Sequence, residues 1–305
     1  MFYFVGRRLL YSVLSLVALV AGVFFIARLT GDPTNLYVTL NASAETRLAF
    51  AERNGFNDPL IEQFARFVAN LLQFDLGMSL RQNRPAIEVV LEAFPTTLLL
   101  ALVSMTIATV LAIVIGACAA WRPDSAFDRI ATVLSLAASS LPNFWLAIVG
   151  VMIFAVQLRW LPTSGTGGVL HWILPVTVLV VRPLGVIVQV MRSSMLTALS
   201  SAYIKTARAK GVPGHTILFG HAVRNALLPV ITVAGDQATG IINGAVIVET
   251  IFGFPGVGKI MIDAITFRDF AVIQAGVIIT GMAVFALNIL IDIAYALVDP
   301  RIRHN

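Results

Sequence analysis

The chain has 305 residues, of which 58% are hydrophobic and 12% charged, with a net charge of +5. Soluble domains carry roughly 45–50% apolar residues even with glycine counted, and about 25% charged ones, so this composition excludes a water-soluble fold and asks for a bilayer as solvent. The basic residues sit in short loops between apolar runs rather than on one face, which speaks for membrane topology and against nucleic-acid binding.

The first apolar run, Leu9 to Leu29, follows the basic pair Arg7 and Arg8. It is longer than the ~7–15 residues of a signal-peptide core and no A-x-A site follows it, so an uncleaved anchor over 1–30 is expected. Residues 31–94 read as a structured segment outside the membrane. Ser43 is placed to cap a short helix that Gly55 ends. Asp58-Pro59 opens an amphipathic helix with Leu60, Ile61, Phe64, Phe67, Val68 and Leu71 near helical spacing, and Pro85 is placed to begin another short helix.

A second span is expected at about Thr97 to Ala120. The third, about Ile130 to Val156, is too long to cross straight, and Pro142-Asn143 should kink it. The fourth, about Trp172 to Met191, contains Pro175 and Pro183; the fifth covers Ala226 to Phe252 and the sixth Ala271 to Val298. No run alternates as a lipid-facing strand does, which argues against a β-barrel. The pattern predicts an all-α polytopic membrane protein with six transmembrane helices. Its core of five helices spans 95–299, and a tail occupies 300–305. No internal repeat is visible, which weakens an inverted-repeat transporter reading.

Six spans put both ends on one side. With the N-terminus inside, the inner segments hold eleven basic residues, among them Arg122, Arg129, Arg192, Arg224, Arg301 and Arg303, against Asp124, Asp128 and Asp299. The segment Gly31 to Phe94 has five arginines against eight acids. The asymmetry predicts that both termini are cytoplasmic.

Between spans four and five, within 199–224, Ala202 to Lys210 reads as a helix of small residues with basic edges. Gly211 stops it, Val212-Pro213-Gly214 turns the chain, and a second helix leads back to the membrane. Alanines on a short helix let another protein approach closely, so such a helix suits a lever moved by a soluble partner. A plain basic loop obeying the positive-inside rule is the blander alternative.

Tyr203-Ile-Lys-Thr-Ala-Arg-Ala-Lys-Gly211 followed by Arg224-Asn-Ala-Leu-Leu-Pro229 resembles the coupling segment of ABC importer permeases, and more narrowly of the dipeptide/oligopeptide/nickel branch. The resemblance covers nearly the whole chain: Gly31-Asp32-Pro33, Asp75-Leu-Gly77, Phe94-Pro95-Thr-Thr97, Pro142-Asn-Phe-Trp145, Trp160-Leu-Pro162, Glu249-Thr-Ile-Phe-Gly-Phe-Pro-Gly256, Arg268-Asp269 and Asp299-Pro-Arg-Ile-Arg303 occur in order. The general importer motif begins Glu-Ala-Ala where this chain has Lys205-Thr-Ala207, a departure that also looks typical of the peptide/nickel branch.

The resemblance implies a type I importer permease in the bacterial inner membrane, paired with a second homologous permease, two ABC ATPase subunits and an extracytoplasmic solute-binding protein. ATP and Mg would be bound by the ATPases, with no cofactor in this chain. By the same resemblance Tyr203, Thr206, Ala207, Arg208, Ala209, Lys210 and Gly211 would couple to the ATPases, Ala207 to Gly211 lying in their groove. The segment 31–94 would help meet the binding protein. Peptides are the first expected cargo, with nickel or a metal chelate and a glutathione-like solute as alternatives. A self-contained channel or secondary transporter is the rival class, and a membrane-embedded enzyme the second.

Within the spans, Asp236, Gly240 and Asn243 fall at i, i+4 and i+7 with Thr239 beside them, and Arg182 lies in span four. Charges at membrane depth usually face a cavity or a partner. A solute path lined by this face, with Arg182 paired to Asp236, is expected; a structural contact between helices is the alternative. Asp292 is given a structural role. Gly253-Phe-Pro-Gly-Val-Gly-Lys259-Ile260 is near a phosphate-binding loop, but it lacks the Ser or Thr after Lys and the preceding strand. His171, His215 and His221 do not form a spaced ligand set, and Cys118 reads as a small buried hydrophobe.

Overall fold

The computed structural model describes residues 2–29, 38, 43–53, 56–79 and 81–298. Gly31-Asp32-Pro33, Gly55 and Asp299-Pro-Arg-Ile-Arg303 lie outside the described residues, as do the side chains of Arg7, Arg8 and Asp292. The chain is all-α among the described residues. In order it forms α1 (Phe2–Leu29), α2 (Ala44–Arg53), α3 (Leu60–Leu72), α4 (Ala86–Trp121), α5 (Ala126–Ser140) and α6 (Asn143–Gly150), the last continued by a π-helical stretch Val151–Gln157. Then come α7 (Val169–Leu199), α8 (Ala202–Ala209), a second π-helical stretch Thr216–Ala222, α9 (Val223–Phe252), α10 (Val257–Thr266) and α11 (Phe270–Val298).

Among the described residues four helical stretches are long and apolar enough to cross a bilayer: Ala86–Trp121, Val169–Leu199, Thr216–Phe252 and Phe270–Ile291. The pair α5 and α6–Gln157 makes a fifth if it counts as one span, and α1 adds the shorter apolar stretch Val13–Ile26.

Two expectations are corrected. The third span is not one kinked helix: α5 and α6 meet at 102°. Leu141 leaves the helix for extended backbone (φ −79°, ψ 131°), the conformation that a following proline favours, and Pro142 then starts α6. The short helix expected after Pro85 is instead the beginning of α4, which runs unbroken through Pro95 for 36 residues. Pro175, Pro183 and Pro229 likewise stay inside helices, where neighbouring packing tolerates the lost bond.

The described chain divides into two compact units, residues 1–95 with 255–286, and 96–254 with 287–305. In the first, Val20, Leu76, Val89, Val90, Val272 and Ile278 form a buried core. Phe24, fully buried, meets Phe64 and Phe67 of α3 at 5.3 and 5.4 Å between ring centroids, which is how the amphipathic face of α3 is spent. Ser43 caps α2 by accepting the Thr46 N–H at 3.2 Å. Arg84 makes a two-point pair with Glu92 at 2.8 and 2.5 Å, and that hydrogen bonding holds its guanidinium above its ordinary value. The pair is exposed and contributes little stability.

Asp269 is the buried polar anchor of this unit. It is 2% exposed, accepts the Ser79 hydroxyl at 2.5 Å, and faces the Val272 N–H in the first turn of α11 at 3.4 Å. Removing the carboxylate strands a buried hydroxyl and uncaps α11. Asp269→Ala is therefore expected to lower stability by about 2–3 kcal/mol, and Asp269→Asn by less because an acceptor oxygen remains. Thermal melting of the purified membrane complex checks both; equal losses would refute the acceptor role.

In the second unit α7 is the central helix, with more than half of its apolar stretch buried. One buried cluster joins Ala112, Ala117 and Ala120 of α4, Ile187, Met191 and Met195 of α7, and Ile204 of α8. Ala222, at the end of the second π-helical stretch, and Val223, Ala226 and Val230, at the start of α9, complete it.

Candidate functional site

The sequence-predicted lever is α8. Ser201 precedes it in extended backbone and Lys210 ends it. Gly211 follows at φ +73°, the left-handed region that glycine occupies without penalty. The Gly211 N–H bonds the Arg208 carbonyl at 3.0 Å and the Val212 N–H bonds the Ala207 carbonyl at 3.1 Å, closing the helix end.

Ile204 is the only fully buried residue of α8, sunk in the cluster shared by α4, α7 and the π-helical stretch. The opposite face is open: Tyr203, Thr206, Arg208, Ala209, Lys210 and Gly211 are exposed, whereas Ala207 is half-buried and turned toward the cluster. Tyr203 is pinned from outside α8, its hydroxyl accepting from Asn225 Nδ2 at 3.1 Å. The arrangement is a short helix plugged into the membrane helices by one fully buried side chain, steadied by Tyr203 and Ala207, and presenting a basic, small-residue face.

On α9 the residues Asp236, Gly240 and Asn243 share an exposed face, and Thr232 and Thr250 extend it in both directions. A side chain at Gly240 would meet nothing within 4 Å. Thr239 belongs elsewhere: its hydroxyl contacts Asn288 Oδ1 at 3.2 Å and the Gly235 carbonyl at 3.4 Å, tying α9 to α11. Arg182 is exposed on α7, but its expected ion pair with Asp236 does not form. Neither side chain has a hydrogen bond or ion pair among the described residues.

Two buried polar pairs escaped the sequence reading. Glu249, fully buried near the end of α9, accepts the Thr97 hydroxyl at 2.7 Å. Asp128, 2% exposed in the first turn of α5, forms a two-point pair with Arg192 of α7, with Nη2 at 2.8 Å from Oδ2. Each joins residues far apart in the chain, although the sparse charges within apolar runs were a signal that partners existed. Lys259 of the phosphate-loop-like stretch sits in α10 and pairs with Asp263 at 2.8 Å, so its ammonium is engaged along its own helix.

The model of the family described as "Binding-protein-dependent transport system inner membrane component" matches residues 108–304. The chain is 38% identical to the oligopeptide transport system permease protein AppB of Bacillus subtilis (strain 168), covering 99% of each chain. It is 37% identical to the di/tripeptide transport system permease protein DppB of Pseudomonas aeruginosa (strain UCBPP-PA14), covering 100% of this chain and 99% of the relative. It is 36% identical to the glutathione transport system permease protein GsiC of Salmonella paratyphi A, covering 100% of both. The fold is similar to a crystal structure of an amino acid ABC transporter with histidines, at TM-score 0.55 and 15% identity, covering 68% of this chain and 94% of that one. A match over most of the chain's length, carried by apolar helices that read as membrane spans, shows that this protein belongs to the binding-protein-dependent transport system inner membrane components, as a multi-pass permease of an ABC importer.

Proposed function

We propose that the chain forms half of the translocation path of a peptide importer and receives its driving force through α8. The observation that carries the reading is α8 itself: one buried side chain, Ile204, plugs it into the transmembrane helices while its basic small-residue face stays open. Two ATPases would dock on that face and hydrolyse ATP, a second homologous permease would complete the path, and an external binding protein would deliver cargo. Both termini and α8 would lie on the cytoplasmic side. Closure of the ATPases would pull Ala202–Gly211 and open the path toward the binding protein; reopening would release cargo inward.

Relatives named for oligopeptides and for di- and tripeptides support peptide cargo. The relative named for glutathione makes that peptide-like solute the second reading. Hydrolysis by the complex of this chain with its second permease, ATPases and binding protein, in lipid, tests the reading with dipeptides, tripeptides, glutathione and a nickel chelate in turn. Stimulation by one class names the cargo. Transport by the chain without ATPases would replace the importer reading with a channel or secondary transporter.

Within the path, Arg182 and Asp236 are one unpaired charge of each sign. A zwitterionic peptide carries the complement, an ammonium for Asp236 and a carboxylate for Arg182, and the polar stripe with Gly240 and Asn243 would flank it. Arg182→Ala and Asp236→Asn are each expected to lower peptide uptake roughly tenfold, the size of one charge-assisted hydrogen bond, with the complex still assembled. Uptake by proteoliposomes is the measurement, and unchanged uptake in both variants would remove these residues from the path.

A further inference from the structure

We propose that Trp121 is a positioning residue of the coupling step, fixing the angle of α8 against the turn between α4 and α5. The inference rests on the reading of α8 as the ATPase contact and adds a second arm to it. Ile204 and the Tyr203–Asn225 hydrogen bond hold the first half of α8, and beyond them the half-buried Ala207 packs inward but leaves the last turn able to swing about that hold. An angle needs a second contact, away from the pivot.

Trp121 supplies it. It is the last residue of α4, half-buried, and packed against the cluster that takes Ile204. Its indole edge lies against the backbone of Gly214, in the turn that follows α8: a Cβ there would come within 3.1 Å of Cζ2 and 3.5 Å of Cη2. The Arg208 guanidinium stands 6.0 Å from the ring centroid, at the outer limit of a cation–π contact. The ring therefore touches the chain beyond α8 and faces a side chain from its last turn, while Ile204 holds its first half.

The turn that carries the ring is itself held. Beyond the ring, Asp124 adopts φ +62°, and its N–H bonds Asp128 Oδ2 at 2.9 Å. Ser125 Oγ accepts the Asp128 N–H at 3.2 Å, and the Asp128 carboxylate pairs with Arg192 of α7. The turn 121–125 is thus tied to α7 by an ion pair whose carboxylate is buried. A push on α8 reaches α7 and α9 through Ile204, and reaches α5 through Trp121. With both contacts in place the helices move as one body; with the indole gone, α8 swivels and hydrolysis runs without moving them.

The experiment uses the full complex in lipid and reads cargo moved per ATP hydrolysed. Trp121→Ala is expected to lower that ratio roughly tenfold, the worth of one aromatic packing contact with a weak cation–π contribution. Gly214→Ala should lower the ratio too, though by less, because its methyl group requires the indole edge to give way slightly. Combining Gly214→Ala with Trp121→Phe, whose smaller ring lacks that edge, should restore the ratio, whereas two merely structural lesions would add. An unchanged ratio in Trp121→Ala, or additive losses in the double variant, overturns the proposal. If Trp121→Ala does not assemble, the Gly214→Ala pair decides alone. Gly211→Asp is run alongside: if it keeps full cargo-stimulated hydrolysis, the ATPase-docking reading of α8 fails, an outcome separate from failure of the Trp121 arm.

Discussion

Gly211→Asp is expected to abolish cargo-stimulated ATP hydrolysis by the assembled complex, and Gly211→Ala to weaken it only moderately. Two effects act at this position and they rank the two variants in opposite order. The first is conformational. Gly211 sits at φ +73°, where an L residue costs roughly 1–2 kcal/mol, with Asp tolerated better than Ala because its short polar side chain bonds locally. A Cβ there meets no atom of this chain within 4 Å, so no clash adds to that cost. Local folding alone thus predicts that alanine does more harm. The second effect is docking: an aspartate places a new carboxylate on the exposed face with Arg208 and Lys210, where a partner surface would bury it. An unpaired charge in an interface costs about 2–5 kcal/mol, enough for a loss of roughly 30- to several-thousand-fold in affinity. Aspartate worse than alanine, measured as ATPase stimulation and as ATPase retained on the purified permease, reports docking. Alanine worse than aspartate would mean that Gly211 only shapes the end of α8.

The elements that were legible in the sequence are those set by local pattern. Apolar runs mark the helices that cross, because a bilayer leaves little choice about what faces it. The Ser43 cap, the amphipathic face of α3 and the end of α8 at Gly211 follow from single residues acting on their own backbone. The polar residues of α9 were legible in part: Asp236, Gly240 and Asn243 do share an exposed face, but Thr239 turns to Asn288.

What escaped depends on packing between segments distant in the chain. Proline shows the difference. Pro95, Pro175, Pro183 and Pro229 sit within continuous helices, while Pro142 marks a 102° bend. Each residue preceding them feels the same local clash, and only Leu141 yields to it and becomes extended. The choice lies with the neighbours that hold the helix on either side. The same holds for charges. The cost of charge at membrane depth suggested Arg182 with Asp236; the pairs that form include Arg192 with Asp128 and Thr97 with Glu249, 64 and 152 residues apart.

Gly185 is where that packing is most exacting, and its replacement carries the largest effect on folding. A Cβ at this position would lie 2.4 Å from the Ser135 carbonyl oxygen and 2.9 Å from the Ser139 nitrogen, both backbone atoms of α5. No rotamer change relieves such a contact, so α5 and α7 must separate. Helices that approach this closely in a membrane are held by dispersion between backbones, and a small residue is what permits it. Separation would also stretch the Asp128–Arg192 pair that joins the same two helices, leaving the buried Asp128 carboxylate short of a partner. Gly185→Ala is accordingly expected to cost about 3 kcal/mol or somewhat more, the upper end for overpacking, and Gly185→Val to yield no assembled complex. Gly240→Ala is the control, since a methyl group there meets nothing within 4 Å. Melting temperature and yield of the detergent-solubilised complex are the readouts. If Gly185→Ala melts with Gly240→Ala and the unaltered protein, α5 does not lie against α7 as described. The position of the 102° bend then loses its support too, because α5 leads into that bend and is held on one side by this crossing.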